Sequence, residues 1–278
     1  MTGRFARSWL FVPANRQRLI DSAFRSAADA IVFDLEDSVP ADQKEAARDA
    51  LRSLLLTSRA PTAPLFVRVN GPETPHFSAD LRALAGTVPA GLVIPKVESA
   101  CRVQQVVAES GGVPLVLLLE TPRGILRALD LAEAAGPSLA ALAFGAEDFC
   151  AAMRVGASGS DPLMAFAQAS VVVAAAAAGV PAIDAPEMDL ADASRLRAQA
   201  ARACAAGFLA KFAIHPAQLA IIHDAFGPAA AERAWAERVT RAYEESRARG
   251  HGSVRVDDRL VDAATIRRAR QILERRQT

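Results

Sequence analysis

Two carboxylates, Glu120 and Asp148, stand just after apolar runs of this chain, Leu115–Leu119 and Leu142–Gly145. By strand alternation Leu142, Phe144, Ala146 and Asp148 share one face, which puts Asp148 on the same side as a strand-end Glu120. Two acids on neighbouring strand ends repel unless a proton or a cation lies between them. Hard oxygen ligands without clustered His or Cys favour Mg²⁺, or Mn²⁺, over zinc and leave positions open for substrate and water. The plainer alternative makes each acid a helix cap or the partner of a nearby arginine. Arg68 argues for chemistry. It lies inside the run Phe66-Val67-Arg68-Val69-Asn70, where an unpaired guanidinium is costly to bury. Either it pairs with Glu36 or Glu98, or it offers a fork to a carboxylate or thioester oxygen.

Several other polar residues fall at comparable positions. Glu36, in Asp34-Leu35-Glu36-Asp37, is placed to support Arg68 or a water on the metal, and is counted with Arg68 among the catalytic candidates. Asp37 is expected to answer Lys44 or Arg48 on the following helix. Lys96, in Pro95-Lys96-Val97-Glu98, becomes a Schiff-base nucleophile only if its pKa is lowered, and the acids around it act the other way. Its expected role is structural or electrostatic. His215, before Pro216, reads as a packed, hydrogen-bonded histidine. The stretch Gly156-Ala157-Ser158-Gly159-Ser160 reads as a loop and is weak evidence for an anion cradle.

These side chains need a scaffold that gathers strand ends. Eight apolar runs supply one: Ser8–Val12, Ala30–Leu35, Leu65–Val69, Gly91–Val97, Pro114–Leu119, Leu142–Gly145, Val180–Asp184 and Phe208–Ile214. Most are continuously apolar, as parallel strands buried on both faces are. Helical periodicity fills the intervals, as in Leu19–Ser26, Lys44–Leu56 and Arg195–Ala206. Eight strand–helix units predict a closed (β/α)8 TIM barrel over residues 1–226, with its site at the C-terminal strand ends. An open doubly wound sheet is disfavoured, because the turn after the first strand, Val12-Pro13-Ala14-Asn15-Arg16, has no glycine for a phosphate loop. Residues 227–278 change character and read as a C-terminal helical tail: a helix over Ala229–Arg249, a short Val254–Val256 strand and a last helix near Asp262–Arg275.

Composition bounds the partners. With 32 basic and 31 acidic residues the net charge is +1, so neither a nucleic acid nor a membrane surface is expected as the main partner. The start, Met1 to Arg7, is short and polar, and no apolar run approaches the ~18 residues that span a bilayer. Cys101, Cys150 and Cys204 suggest neither a disulfide framework nor a zinc pair, and a reducing cytoplasm is the default location.

Taken together, several motifs resemble the citrate lyase β-subunit family, with its malyl-CoA, citramalyl-CoA and citryl-CoA lyases, in the HpcH/HpaI aldolase superfamily. They are Ser8-Trp9-Leu10-Phe11-Val12-Pro13-Ala14-Asn15-Arg16, Asp34-Leu35-Glu36-Asp37-Ser38-Val39-Pro40, Val67-Arg68-Val69-Asn70, Ile94-Pro95-Lys96-Val97-Glu98, Glu120-Thr121-Pro122-Arg123-Gly124, Phe144-Gly145-Ala146-Glu147-Asp148-Phe149 and Ile214-His215-Pro216. The match runs in order along almost the whole chain, with departures at Ala14, Gln17 and Asp258-Arg259. The resemblance implies a carbon–carbon lyase acting on an acyl-CoA or acyl-carrier thioester, with Mg²⁺ on Glu120 and Asp148 and Arg68 at the acyl oxygens. It also implies that Arg16 and Arg7 meet the CoA phosphates. In such lyases an Asp of the tail enters a neighbouring subunit's site, and Asp262 matches it, implying a homotrimer or a multiple of one. The alternative is a non-catalytic or carrier-dependent β subunit that works only in a complex.

Overall fold

The computed structural model describes residues 5–57, 63–156, 161–227 and 230–274. Its main element is a closed barrel of eight parallel strands, each hydrogen-bonded to the next and the last to the first. The strands are β1 (Ser8–Pro13), β2 (Ala30–Asp34), β3 (Leu65–Arg68), β4 (Gly91–Ile94), β5 (Leu115–Leu119), β6 (Leu139–Phe144), β7 (Ala182–Asp184) and β8 (Ala210–Ala213). Helices follow the strands, so both strand faces are covered. This is why β2, β4 and β5 are buried at every position. The expected TIM barrel is the fold found.

Two strands differ from expectation. β6 begins at Leu139, three residues before the predicted Leu142. Its opening Leu-Ala-Ala has helical propensity, yet pairing with β5 from Leu115 onward overrides it. β7 is only three residues long: Val180 and Pro181 precede it outside the strand, although the Pro181 carbonyl accepts the Leu142 N–H. Glycine is required at Gly91, where a Cβ would stand 2.5 Å from the Phe66 ring and 2.7 Å from the Pro114 carbonyl.

All eight strands run the same way, so the barrel has distinct ends. The N-terminal end is closed by a polar tie. Arg7 Nε lies 3.4 Å from Asp29 and donates through Nη1 to the His223 carbonyl, while Ser8 Oγ is 2.8 Å from His223 Nε2. Burial raises the Asp29 carboxyl, but hydrogen bonds from His223 and the Arg7 backbone, with the charges of both side chains, hold it well below the usual range. The opposite end carries the acids.

The chain divides into two compact units, Ala6–His223 and one that takes in Asp224–Thr278. The second contains the helix Ala230–Ala248, an antiparallel hairpin of β9 (Val254–Val256) and β10 (Arg259–Val261), and the helix Ala263–Glu274. Its small core is Ala236, Val239, Val261, Ile266, Ala269 and Ile272. The sequence reading had one strand where there are two. The turn Asp257-Asp258 takes φ of 48° and 59°, a hairpin geometry usually signalled by Asn-Gly or Asp-Gly, so β10 lacked its cue. Among the described residues no helix is long and apolar enough to cross a membrane.

Candidate active site

The C-terminal ends of β2 and β3 are joined by a buried ion pair. Asp34 ends β2 and accepts the backbone N–H groups of Glu36 (2.9 Å) and Ser38 (3.1 Å), which folds the following turn back over the barrel mouth. Arg68 ends β3, opposite Asp34 in the sheet register, and forks onto it with Nε and Nη2, each at 2.7 Å. Burial pushes the Asp34 carboxyl up, yet the Arg68 charge and these hydrogen bonds outweigh it and hold the group below the ordinary range. The expected partner was Glu36 or Glu98. The structure gives the fork to Asp34, leaves Nη1 3.2 Å from Glu36 Oε2, and pairs Glu98 with Arg123 at 3.6 Å. The guanidinium also stacks over Phe11, 4.7 Å from the ring centre.

Behind this pair lies a network that the sequence reading did not identify. Lys44 buries its ammonium against the carbonyls of Leu35 and Glu36, both at 2.9 Å. Arg48 goes to Asp80 at 2.7 Å, and Asp80 also accepts the backbone and side-chain N–H groups of Asn70. Asp37 therefore answers neither Lys44 nor Arg48. It stands exposed, 3.5 Å from Lys96 Nζ. Asp80 sits in the first turn of the helix Phe77–Leu84, where an acid is ordinary, so only the fold could reveal its partners.

Glu120 follows β5 and is 3% exposed. Burial, then the charges of Glu36 and Asp148, push its carboxyl well above the usual range, against the pull of Arg68 and Lys96. Its Oε1 accepts the Lys96 backbone N–H at 3.0 Å. Asp148 is not on a strand, as alternation had it. β6 stops at Phe144, Gly145 is the N-cap, and Asp148 lies in the first turn of the helix Ala146–Met153. An acid in that turn is favoured by the helix dipole, and the strand ends four residues before Asp148. The side chain is 40% exposed and lines the same cleft as Glu120, a cavity of about 410 Å³ bordered by Gly71, Thr74, Lys96 and Thr121.

Gly145 makes the pair possible. A Cβ there would meet Glu120 Cβ at 2.5 Å and Oε2 at 2.6 Å. Gly145→Ala changes no charge, yet it is expected to push Glu120 aside and to cost about 10²-fold or more in any activity that needs this carboxylate. Wild-type turnover in that variant would show that the Glu120 position is not critical.

A buried carboxyl raised by like charges is a group that ionises when a cation arrives. Two hard oxygen side chains at an open cleft fit a divalent ion that keeps positions for substrate and water. Among the described residues no cluster of three His, Cys, Asp or Glu side chains has metal-holding geometry. Glu120 and Asp148 would therefore be the only protein ligands in that set.

The remaining candidates sort by place. Arg7 precedes β1, at the opposite barrel end from Glu120, and is engaged with Asp29 and the His223 carbonyl. A role at the CoA phosphates does not suit that position, because the strands carry the site at their other end. Arg16 is exposed just after β1, at the mouth end. His215 caps a short 3-10 turn, its Nδ1 accepting from Ala217 N; it is hydrogen-bonded as expected but exposed rather than packed, because the turn at Pro216 carries it to the surface. Asp184 is taken by Lys211 at 2.6 Å. Asp262 caps the helix Ala263–Glu274 through three hydrogen bonds from Ala264 and Thr265, which hold its carboxyl below the usual range. Of the loop 156–160, residues 157–160 lie outside the described residues.

A model of the HpcH/HpaI aldolase/citrate lyase family matches residues 7–216. A citrate lyase subunit beta-like protein of Deinococcus radiodurans is 38% identical over 277 residues, 96% of each chain. A (3S)-malyl-CoA thioesterase of Cereibacter sphaeroides is 36% identical over 267 residues, 96% of this chain and 93% of its own. Among solved structures, protein CitE from Mycobacterium tuberculosis, in complex with magnesium, acetoacetate and coenzyme A, aligns with a TM-score of 0.83 at 32% identity over 99% of both chains.

Proposed function

This chain belongs to the HpcH/HpaI aldolase/citrate lyase family, and on that premise we propose that it is a Mg²⁺-dependent carbon–carbon lyase of 3-hydroxyacyl thioesters. The substrate class is the citryl-, malyl- or citramalyl-CoA type, and the products are an acetyl thioester and an α-keto acid. The observation that carries the reading is the Glu120 carboxyl, raised by burial and then by the charges of Glu36 and Asp148, lining one cleft with Asp148. The magnesium and coenzyme A held by the mycobacterial structure support both the ion and the thioester.

Glu120 and Asp148 would hold the ion, with Gly145 leaving the room that Glu120 needs. When bound, Mg²⁺ supplies positive charge that makes a substrate hydroxyl more acidic. Cleavage then requires three things of the protein. The hydroxyl proton must leave as its oxygen becomes the keto-acid carbonyl. The bonding pair must pass to the thioester, whose enolate oxygen needs a positive neighbour. The freed carbon must finally receive a proton. Glu36, lifted by burial above the ordinary carboxyl range and placed between Arg68 and Lys96, is the proton acceptor in this scheme. Arg68, forked onto Asp34 through Nε and Nη2 and with Nη1 3.2 Å from Glu36, is a fixed cation for the enolate oxygen. Asp262, from a neighbouring copy in a homotrimer, would relay a proton from solvent to the acetyl carbon while Glu36 releases the hydroxyl proton to solvent, and Arg16 meets the CoA phosphates.

The thioesterase relative supports a second reading, hydrolysis of the thioester without carbon–carbon cleavage. One experiment separates them. The protein is incubated with Mg²⁺ and citryl-, malyl- or citramalyl-CoA, and keto acid, acetyl-CoA and free CoA thiol are measured together. The lyase reading expects keto acid and acetyl-CoA in equal amounts from at least one substrate. Free thiol without keto acid from all three would replace it with the hydrolytic one. Under the lyase reading Asp262→Asn keeps Mg²⁺ binding and loses on the order of 10²-fold in turnover.

A further inference from the structure

Lys96 departs from the family logic of ligands and substrate contacts, and its backbone shows it. It is one of four described non-glycine residues with positive φ, at 55°. That conformation is costly for a side chain with a Cβ and persists where the surroundings impose it. Here it turns the Lys96 N–H onto Glu120 Oε1 at 3.0 Å, while the side chain returns over the site. Its Nζ lies 2.8 Å from Glu36 Oε1, 3.5 Å from Asp37 Oδ1 and 3.9 Å from Asp148 Oδ2. One residue thus reaches Glu36, Asp37, Glu120 and Asp148.

We propose that Lys96 is a positioning residue that acts as the resident cation of the site, aligning Glu120 through its backbone while its ammonium limits how tightly Glu120 and Asp148 hold a divalent ion. The inference rests on the metal reading given above. Two effects compete when the ammonium is removed. Orientation is lost, and so is the repulsion between a unit charge and a dication. The contact with Asp148 is long, at 3.9 Å, and both partners are over one-third exposed, so little alignment of that ligand depends on it. Glu120 is held by a backbone N–H that survives substitution of the side chain. Charge therefore decides the sign. A unit charge and a dication about 5 Å apart repel enough, even in a water-like dielectric, to shift binding on the order of tenfold.

The test is Mg²⁺ binding measured calorimetrically on EDTA-treated, desalted protein, without substrate. Lys96→Met is expected to bind Mg²⁺ on the order of tenfold more tightly than wild type, and Lys96→Arg about as wild type does. If Lys96→Met fails to fold, Lys96→Gly removes the same charge and adopts this φ without strain. Unchanged or weaker binding in the charge-removing variant overturns the inference, as does equal tightening in Lys96→Arg. Glu120→Gln is the control for the reading beneath it. If wild type binds no Mg²⁺, or binds it equally well after Glu120→Gln, the metal site itself is misassigned. If binding depends on Glu120 but does not respond to the Lys96 charge, only the role of Lys96 falls.

Discussion

Glu120→Gln is expected to lose on the order of 10³-fold or more in Mg²⁺-dependent cleavage while the barrel stays folded. Glutamine has the same shape and can still accept the Lys96 N–H, so the loss would report charge rather than packing. Stability should move the other way. The folded Glu120 carboxyl lies well above its ordinary value of 4.5. A group raised in this way leaves the fold at full stability below that ordinary value, and stability is lost as pH rises from there toward the folded value. The glutamine variant has no such loss, so without metal it should melt at or above the wild-type temperature at neutral pH. Added Mg²⁺ should stabilise wild type and not the variant. Thermal unfolding with EDTA and with Mg²⁺ checks both statements, and a variant that gains equal stability from Mg²⁺ would contradict them.

Arg68→Met should be the most damaging single change to the fold at this end of the barrel. It strands Asp34, 2% exposed, without the guanidinium that holds its charge. Breaking one side of a buried pair typically costs about 3–5 kcal/mol. Turnover should fall by about 10²-fold or more as the enolate loses its fixed cation. The two effects can be separated. In Arg68→Met with Asp34→Asn the stranded charge is gone, so most of the stability should return while activity stays lost. Denaturant unfolding beside steady-state rates would show this. Recovery of both together would make Arg68 purely structural.

The barrel was legible because eight apolar runs, most of them closed directly by Pro, Gly or an acid, admit few other arrangements. The ends of those runs also pointed to Glu120 and Arg68, since a charged group closing a buried strand needs a reason. Asp148 was found by the wrong route. Alternation placed it on β6, whereas Gly145 breaks the strand and the helix dipole holds the acid in the next turn. The expected pairing of Arg68 with Glu36 is present at 3.2 Å, but its forked partner Asp34 was hidden for a related reason. Asp34 and Glu36 sit two apart on one segment, and only the register of β2 against β3 decides which one meets the fork. Asp80 and the αL backbone of Lys96 left no signal, because long-range contacts alone create both. The β9–β10 hairpin escaped because its turn is Asp-Asp rather than a glycine-bearing pair.

The most direct test of the central claim follows cleavage of the preferred acyl-CoA by EDTA-treated protein as Mg²⁺ is added back, for wild type and for Asp148→Asn. The metal assignment predicts no keto acid from wild type before Mg²⁺, saturable recovery as it is added, and little or no recovery in Asp148→Asn at the same concentrations. Full keto-acid release from wild type in EDTA, or wild-type recovery in Asp148→Asn, would contradict it.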